Sequence, residues 1–293
     1  MYNGELAILI RRAFAYGSPW IRYIHIVMPD ECDTPEEIIR TALGAAYDVL
    51  GTRVQVHRDS VILPAEAIPS FSSHPKEANL DRIPGLSEQF VYANDDMFLN
   101  RSTPLNLFFT PDGRPRYRPD VLQSACWCRD KNQDCQGHLR VFDWIEHNTA
   151  ALFWASPDVL HNPRIHQCLQ VEHQMKPLTR SGYRRARELF PVEFRQVTNS
   201  RFRSSDDFSP TVLIANLEIS SGNAMLDTQT PQTHQLYLDV GIVPRAQRNF
   251  RVMQGRLQQC HLLCLNNASR DWHTSWIYRN FDIDPLTFDR EDS

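Results

Sequence analysis

Phe90-Val-Tyr-Ala-Asn-Asp-Asp-Met-Phe-Leu99 sets three polar residues between two runs that want burial. A carboxylate left unpaired inside a core is costly. Asn94, Asp95 and Asp96 are therefore expected where a core strand, "FVYA", leaves the interior. In open α/β sheets, ligands gather beyond the carboxyl ends of strands. The same triplet also suits an ordinary Asx turn that binds nothing.

The flanks support a layered α/β fold. Glu5 to Tyr16 reads as a helix with Leu6, Leu9, Ile10 and Ala13 on one face. "IRYIHIV", Ile21 to Val27, alternates and reads as a strand. Thr34-Pro35-Glu36-Glu37 carries the signals of a helix start, and that helix should run to Leu50, where Gly51 stops it. "VQVH" and "VILP" then read as short strands. Alternating helices and strands argue for helices packed on a sheet.

Beyond Leu99, "LNLFFTPDGRPRYRP" predicts a hairpin turning at Pro111-Asp112-Gly113. Residues 111–140 read as an insertion or loop within a single domain spanning 1–293. Helices are expected at 142–155, 178–190, 206–219 and 270–280. "QLYLDVG" and "HLLCLNN" read as strands.

Composition narrows the partners. With 42% hydrophobic and 23% charged residues and a formal net charge of −4, the chain is of soluble globular type and lacks the basic surplus of a nucleic-acid binder. Arg184, Arg185 and Arg187 form only a local cluster, read as a solvated helix face. No apolar run approaches the ~20 residues needed to cross a bilayer. The first residues show no signal-peptide pattern. Seven cysteines, an odd number without an export signal, point to reduced thiols and a cytoplasmic protein.

Several constellations have the residue types for chemistry. Paired carboxylates beside an amide suit Mg²⁺, which takes one or two carboxylates plus substrate phosphates. His173 has the pKa range of a general acid or base, although a lone histidine also serves structure. "SRFRSSDDFS", Ser200 to Ser209, sets Arg201 and Arg203 before a Ser/Asp-rich helix start. That is either a phosphate site or a plain cap with surface arginines. Cys126, Cys128, Cys135 and His138 offer zinc ligands at a non-standard spacing, or are free loop thiols. Asn266 ends another strand.

Taken in order, these segments resemble a known family. Ile68 to Leu99, with Ser72-Ser73, Glu77, Arg82-Ile-Pro-Gly-Leu-Ser87 and Asn94-Asp95-Asp96, resembles the second conserved block of the Stealth sugar-phosphate transferases. His173-Gln-Met-Lys-Pro-Leu178, Phe190-Pro191 and "RFRSSDDFS" resemble the third, and "LCLNN", Leu263 to Asn267, the fourth. The family's first block, a strand followed by an acidic turn, would precede Met1. Asn267 replaces an aspartate of the fourth block, and Asp81 stands where many members have histidine.

The resemblance implies a Rossmann-like, glycosyltransferase-A-like mixed sheet flanked by helices. It implies transfer of a sugar 1-phosphate from a nucleotide-sugar, a UDP-sugar by expectation, to a hydroxyl of an oligosaccharide or polysaccharide acceptor in capsule or exopolysaccharide synthesis. Asp95 and Asp96 would hold Mg²⁺ or Mn²⁺, His173 would serve as base or donor, and Arg203 would clamp phosphate. Ser73, Glu77, Arg82, Asn94, Lys176, Arg201 and Asn266 would contact substrate. The enzyme would work in the cytoplasm or at the inner face of the membrane with other polysaccharide-synthesis proteins. Two rival readings stay open: an inactive homologue that binds nucleotide-sugar or polysaccharide, and an ordinary metal-dependent glycosyltransferase.

Overall fold

A computed structural model describes residues 5–32, 35–119, 141–162, 168–171, 173–229, 234–239 and 256–266. The first helix, α1 (Glu5–Gly17), is present as expected, but it buries Ala7, Ile8 and Phe14 along with Ile10 and Ala13, while Leu6 and Leu9 are only half-buried. β1 (Ile24–Met28) pairs in parallel with β2 (Val54–Arg58), Ile24 opposite Val54. Between them the single helix expected from 35 to 50 is divided. α2 (Pro35–Leu43) ends at Gly44, whose φ of +50° no right-handed helix accommodates, and α3 (Tyr47–Leu50) resumes after one 3₁₀ turn. "VILP" is not a strand. Asp59–Ile62 forms the one-turn helix α4, and adjacent Ile62 and Leu63 are both buried, where a strand would send them to opposite faces.

The short α5 (Ser73–Glu77) follows, capped by Ser72, whose hydroxyl accepts from the His74 amide. β3 (Gln89–Tyr92) runs antiparallel to β6 (Lys176–Thr179), and β4 (Met97–Leu99) antiparallel to β9 (Leu262–Asn266). β8 (Gln235–Asp239) lies parallel to β9, and β5 (Arg116–Tyr117) to β7 (Met225–Leu226). The expected hairpin turn is present. Thr110 and Gly113 close it, and Gly113 adopts a φ of +87°.

Helices α6 (Val141–Ala155), α7 (Pro157–Leu160), α8 (Arg180–Leu189), α9 (Pro191–Thr198) and α10 (Pro210–Ser220) complete the described architecture. Helix α10 starts four residues later than expected, because Pro210 suits a first-turn position and residues 204–207 form a turn in which the Ser204 amide donates to the Asp207 carboxylate. The fold is mixed α/β. Among the described residues, its strands hydrogen-bond in groups of two or three.

The largest core lies between these helices and β6. Leu178, Tyr183, Phe153, Phe194 and Leu213 are each at most 2% exposed there. Tyr183 donates its hydroxyl to the Glu77 carbonyl at 2.8 Å, tying α8 to the end of α5. Among the described residues no helix is long and apolar enough to cross a membrane. Thr34, the 120–140 segment with the four proposed zinc ligands, Asn267 and the 270–280 helix fall outside the described residues.

Candidate functional site

Two strand pairings build the site. The β3–β6 register sets Tyr92 opposite Lys176, so the triplet leaving β3 meets the segment entering β6, which carries His173. The β4–β9 register sets Met97 opposite Cys264, and the Leu265 amide donates to the Asp96 carbonyl at 2.9 Å. Asn94-Asp95-Asp96 is a tight turn between β3 and β4, closed by the Met97 amide on the Asn94 carbonyl at 3.2 Å. The polar triplet thus follows a strand end, as expected.

Asp96 is the hub. Its Oδ2 lies 4.0 Å from His173 Nε2 and accepts from the Cys264 thiol at 3.5 Å. Among the described residues, its Oδ1 is buried with no hydrogen-bond partner. Burial, and then the neighbouring Asp95 carboxylate, push the Asp96 carboxyl up to about 6. Asp95 is raised by burial and by Glu5. Burial and the Lys176 ammonium push His173 down to about 4, so its imidazole is neutral at pH 7. Burial and Asp96 push the Cys264 thiol up. The imidazole also packs edge-on against Tyr237, ring centres 5.9 Å apart.

A cavity opens beside this hub, lined by Ser73, His74, Glu77, Tyr92, Asn94, His173, Lys176 and Arg203, with Ile145, Cys168, Leu169 and Val171 as apolar wall. Arg203 donates to the Ser73 hydroxyl at 3.3 Å. Tyr92 donates to the Asn94 side-chain oxygen, and its hydroxyl is pushed well up by burial and by Glu77. Lys176 Nζ donates to the Gln174 carbonyl at 3.4 Å.

Other expected site residues lie elsewhere. Arg201 donates to the Ile68 carbonyl at 3.0 Å and the Glu66 carbonyl at 3.4 Å, bracing that loop. Arg82 is exposed at the end of a short 3₁₀ turn, outside the cavity wall. Asp95 keeps side-chain surface open to solvent at the turn, although the surrounding protein partly desolvates its carboxyl. The backbone of Asn266 ends β9 beside Asp96, with Asp239 as its strand partner.

Four further residues were not legible from local sequence. His74 in the cavity wall has Nδ1 3.5 Å from Asp207 Oδ2, and both side chains are buried. Burial pushes the Asp207 carboxyl up, but the nearby His74, the Ser204 amide and Ser200 outweigh it and hold the group below its usual range. Tyr92 and Cys264 looked like ordinary strand residues. The histidine in "SSHPKE" and the second aspartate of "SSDDF" were the only signals for the His74–Asp207 pair.

The donors present fit a divalent cation. The Asp96 carboxylate, His173 imidazole and Cys264 sulfur offer donor atoms all within 4.8 Å of one another. Asp96 Oδ1 is a buried acceptor without a partner among the described residues. Carboxylates suit Mg²⁺ or Mn²⁺, and the nitrogen and sulfur donors widen the set towards softer ions.

Residues 3–117 match the family model described as Stealth protein CR2, conserved region 2. Over 267 residues, 90% of this chain, the sequence is 31% identical to an exopolysaccharide phosphotransferase of Streptomyces coelicolor, covering 44% of that protein. An exopolysaccharide phosphotransferase of Lactiplantibacillus plantarum is 41% identical over 106 residues, 36% of this chain and 28% of its own length. A capsular polysaccharide phosphotransferase of Neisseria meningitidis serogroup B is 26% identical over 270 residues, 90% of this chain and 65% of its own. The chain thus spans less than half the length of the Streptomyces and Lactiplantibacillus relatives.

Proposed function

This chain belongs to the Stealth family, and from that premise we propose that it moves a sugar 1-phosphate from a nucleotide-sugar to a sugar hydroxyl in capsule or exopolysaccharide synthesis. The observation that carries the reading is the cavity wall. It draws Ser73, Glu77 and Asn94 from one sequence block and His173, Lys176 and Arg203 from another, more than seventy residues further on.

Attack at phosphorus is helped chiefly by positioning and by neutralising the anionic oxygens. Arg203 presents a planar fork suited to a phosphate, and the buried Lys176 adds a second positive charge to the wall. His173, neutral at pH 7, accepts the proton of the attacking hydroxyl. Asn94, oriented by Tyr92, and Ser73, held by Arg203, supply polar contacts to the substrate. Asp96, with Asp95 beside it, would hold Mg²⁺ or Mn²⁺, which when bound would supply positive charge to the phosphate oxygens. Displacement forms the bond from acceptor oxygen to phosphorus, breaks the bond within the diphosphate and releases nucleoside monophosphate.

A glycosyltransferase-A-like layering and work at the inner face of the membrane belong to the same proposal. The deciding experiment incubates the chain with UDP-sugars, Mg²⁺ and an oligosaccharide acceptor and separates the nucleotide products. Release of UMP dependent on acceptor supports sugar-phosphate transfer. Release of UDP means transfer of the sugar alone and overturns the reading.

A further inference from the structure

Phe71 and Phe202 are 67% and 66% exposed, yet their rings stack on each other, with centres 5.1 Å apart and planes 15° from parallel. Isolated apolar side chains on a surface need no explanation. Two phenylalanines brought together from distant segments, with most of both rings left in water, are another matter. The exposed rings of Tyr23, Trp144 and Tyr237 instead meet histidines, tilted or edge-on.

The pair is built in. The Phe71 amide donates to the Arg201 carbonyl at 2.8 Å, joining the two segments directly beneath the rings. Arg201 in turn donates to the carbonyls of Glu66 and Ile68, holding the segment that leads into Phe71. The two phenylalanines are near neighbours in sequence of residues that line the cavity. Phe71 lies two residues before Ser73 and Phe202 directly precedes Arg203, and Ser73 and Arg203 meet in the cavity wall. The stacked pair and the Arg203–Ser73 contact thus rest on the same two short segments.

Resting on the donor reading above, we propose that Phe71 and Phe202 form the platform on which the base of the nucleoside diphosphate stacks. A nucleoside diphosphate joins a planar aromatic base to anionic phosphates in one molecule, and so calls for an aromatic face beside a guanidinium. An uncharged acceptor sugar would use the face but has no need of the cation. Every base presents a π-face, so this subsite adds affinity for the nucleoside with little choice among bases.

The test is calorimetric titration of ADP, CDP, GDP, UDP and inorganic pyrophosphate in Mg²⁺ into the wild-type chain and into Phe71→Ala and Phe202→Ala. Both side chains are largely exposed, and circular dichroism checks that each variant folds. The expected result is a loss of roughly 5- to 150-fold in affinity for the nucleoside diphosphates, with pyrophosphate changed less than about twofold. Unchanged nucleotide affinity in both variants overturns the platform and leaves the donor reading standing. Equal losses for nucleotide and pyrophosphate also overturn it, because the rings would then be shaping the loop. A wild-type chain that binds none of the five overturns the donor reading itself.

Discussion

Asp96 Oδ2 and His173 Nε2 stand 4.0 Å apart at the meeting point of two strand pairings. Each shifts the way its surroundings dictate. Burial and Asp95 make the carboxyl reluctant to lose its proton, while burial and Lys176 make the imidazole reluctant to gain one. At pH 7 the pair is a carboxylate held at a cost beside a neutral base, an arrangement that a cation at Asp96 would stabilise.

Asp96→Asn should abolish turnover and raise stability together. The Asp96 carboxyl titrates near 6 in the folded chain against an ordinary 3.8, so the folded state binds its proton more tightly than the unfolded state does. The neutral form favours folding below about pH 4, and that advantage is lost as pH rises through 6. In metal-free protein at pH 7, the variant should gain roughly 2–3 kcal/mol. Urea unfolding at pH 4 and pH 7 checks it, and an equal effect at both pH values would exclude the titration as its source.

Lys176→Met should move the acid limb of the pH–rate profile upwards. The lysine lowers both Asp96 and His173, so its loss raises both groups and delays their deprotonation to higher pH. The profile of kcat/KM against pH reads this directly. A limb at the wild-type position would remove Lys176 from the electrostatics of the site.

Arg203→Ala and Arg201→Ala should separate. Arg203 lines the cavity and should cost donor binding, seen as a raised KM for the nucleotide-sugar. Arg201 holds backbone carbonyls at the loop, so its loss should lower the unfolding free energy by roughly 0.5–1.5 kcal/mol, the typical value of such a hydrogen bond. Steady-state kinetics and urea melts on both variants are sufficient. Identical behaviour would mean that the two arginines share one role.

Thr179→Ala should loosen the scaffold beneath the site. Its hydroxyl accepts from the Gly182 amide at 3.0 Å and caps α8, immediately after the strand that carries Lys176. Loss of such a cap costs about 1 kcal/mol. A change within error of zero, measured by urea unfolding, would show that the cap is dispensable.

His173→Ala should lower turnover by roughly 10²–10⁴-fold, the usual contribution of a positioned base. Because this side chain is 48% exposed, the fold should survive, as a circular dichroism melt can show. Full activity would leave the base to another group, and the cavity-lining His74 with its Asp207 partner is the next to test.

Much of this was present in the linear chain. The apolar stripe of Glu5 to Tyr16, the alternation through β1 and β2, and the polar triplet after "FVYA" each declare themselves within a few residues, because periodicity and the cost of burying charge act locally. Where local signals compete, packing and backbone conformation decide. Gly44 divided a helix through its positive φ, and "VILP" became a helical turn because both Ile62 and Leu63 face the core. Arg201 and Arg203 look equivalent in sequence, yet only tertiary packing sends one to the loop and the other into the cavity. The meeting of Asp96 with His173 and Cys264, of His74 with Asp207, and of Phe71 with Phe202 was likewise decided by structure alone. Such contacts depend on strand register and loop closure between distant segments, and no short window of sequence encodes a distance between residues so far apart along the chain.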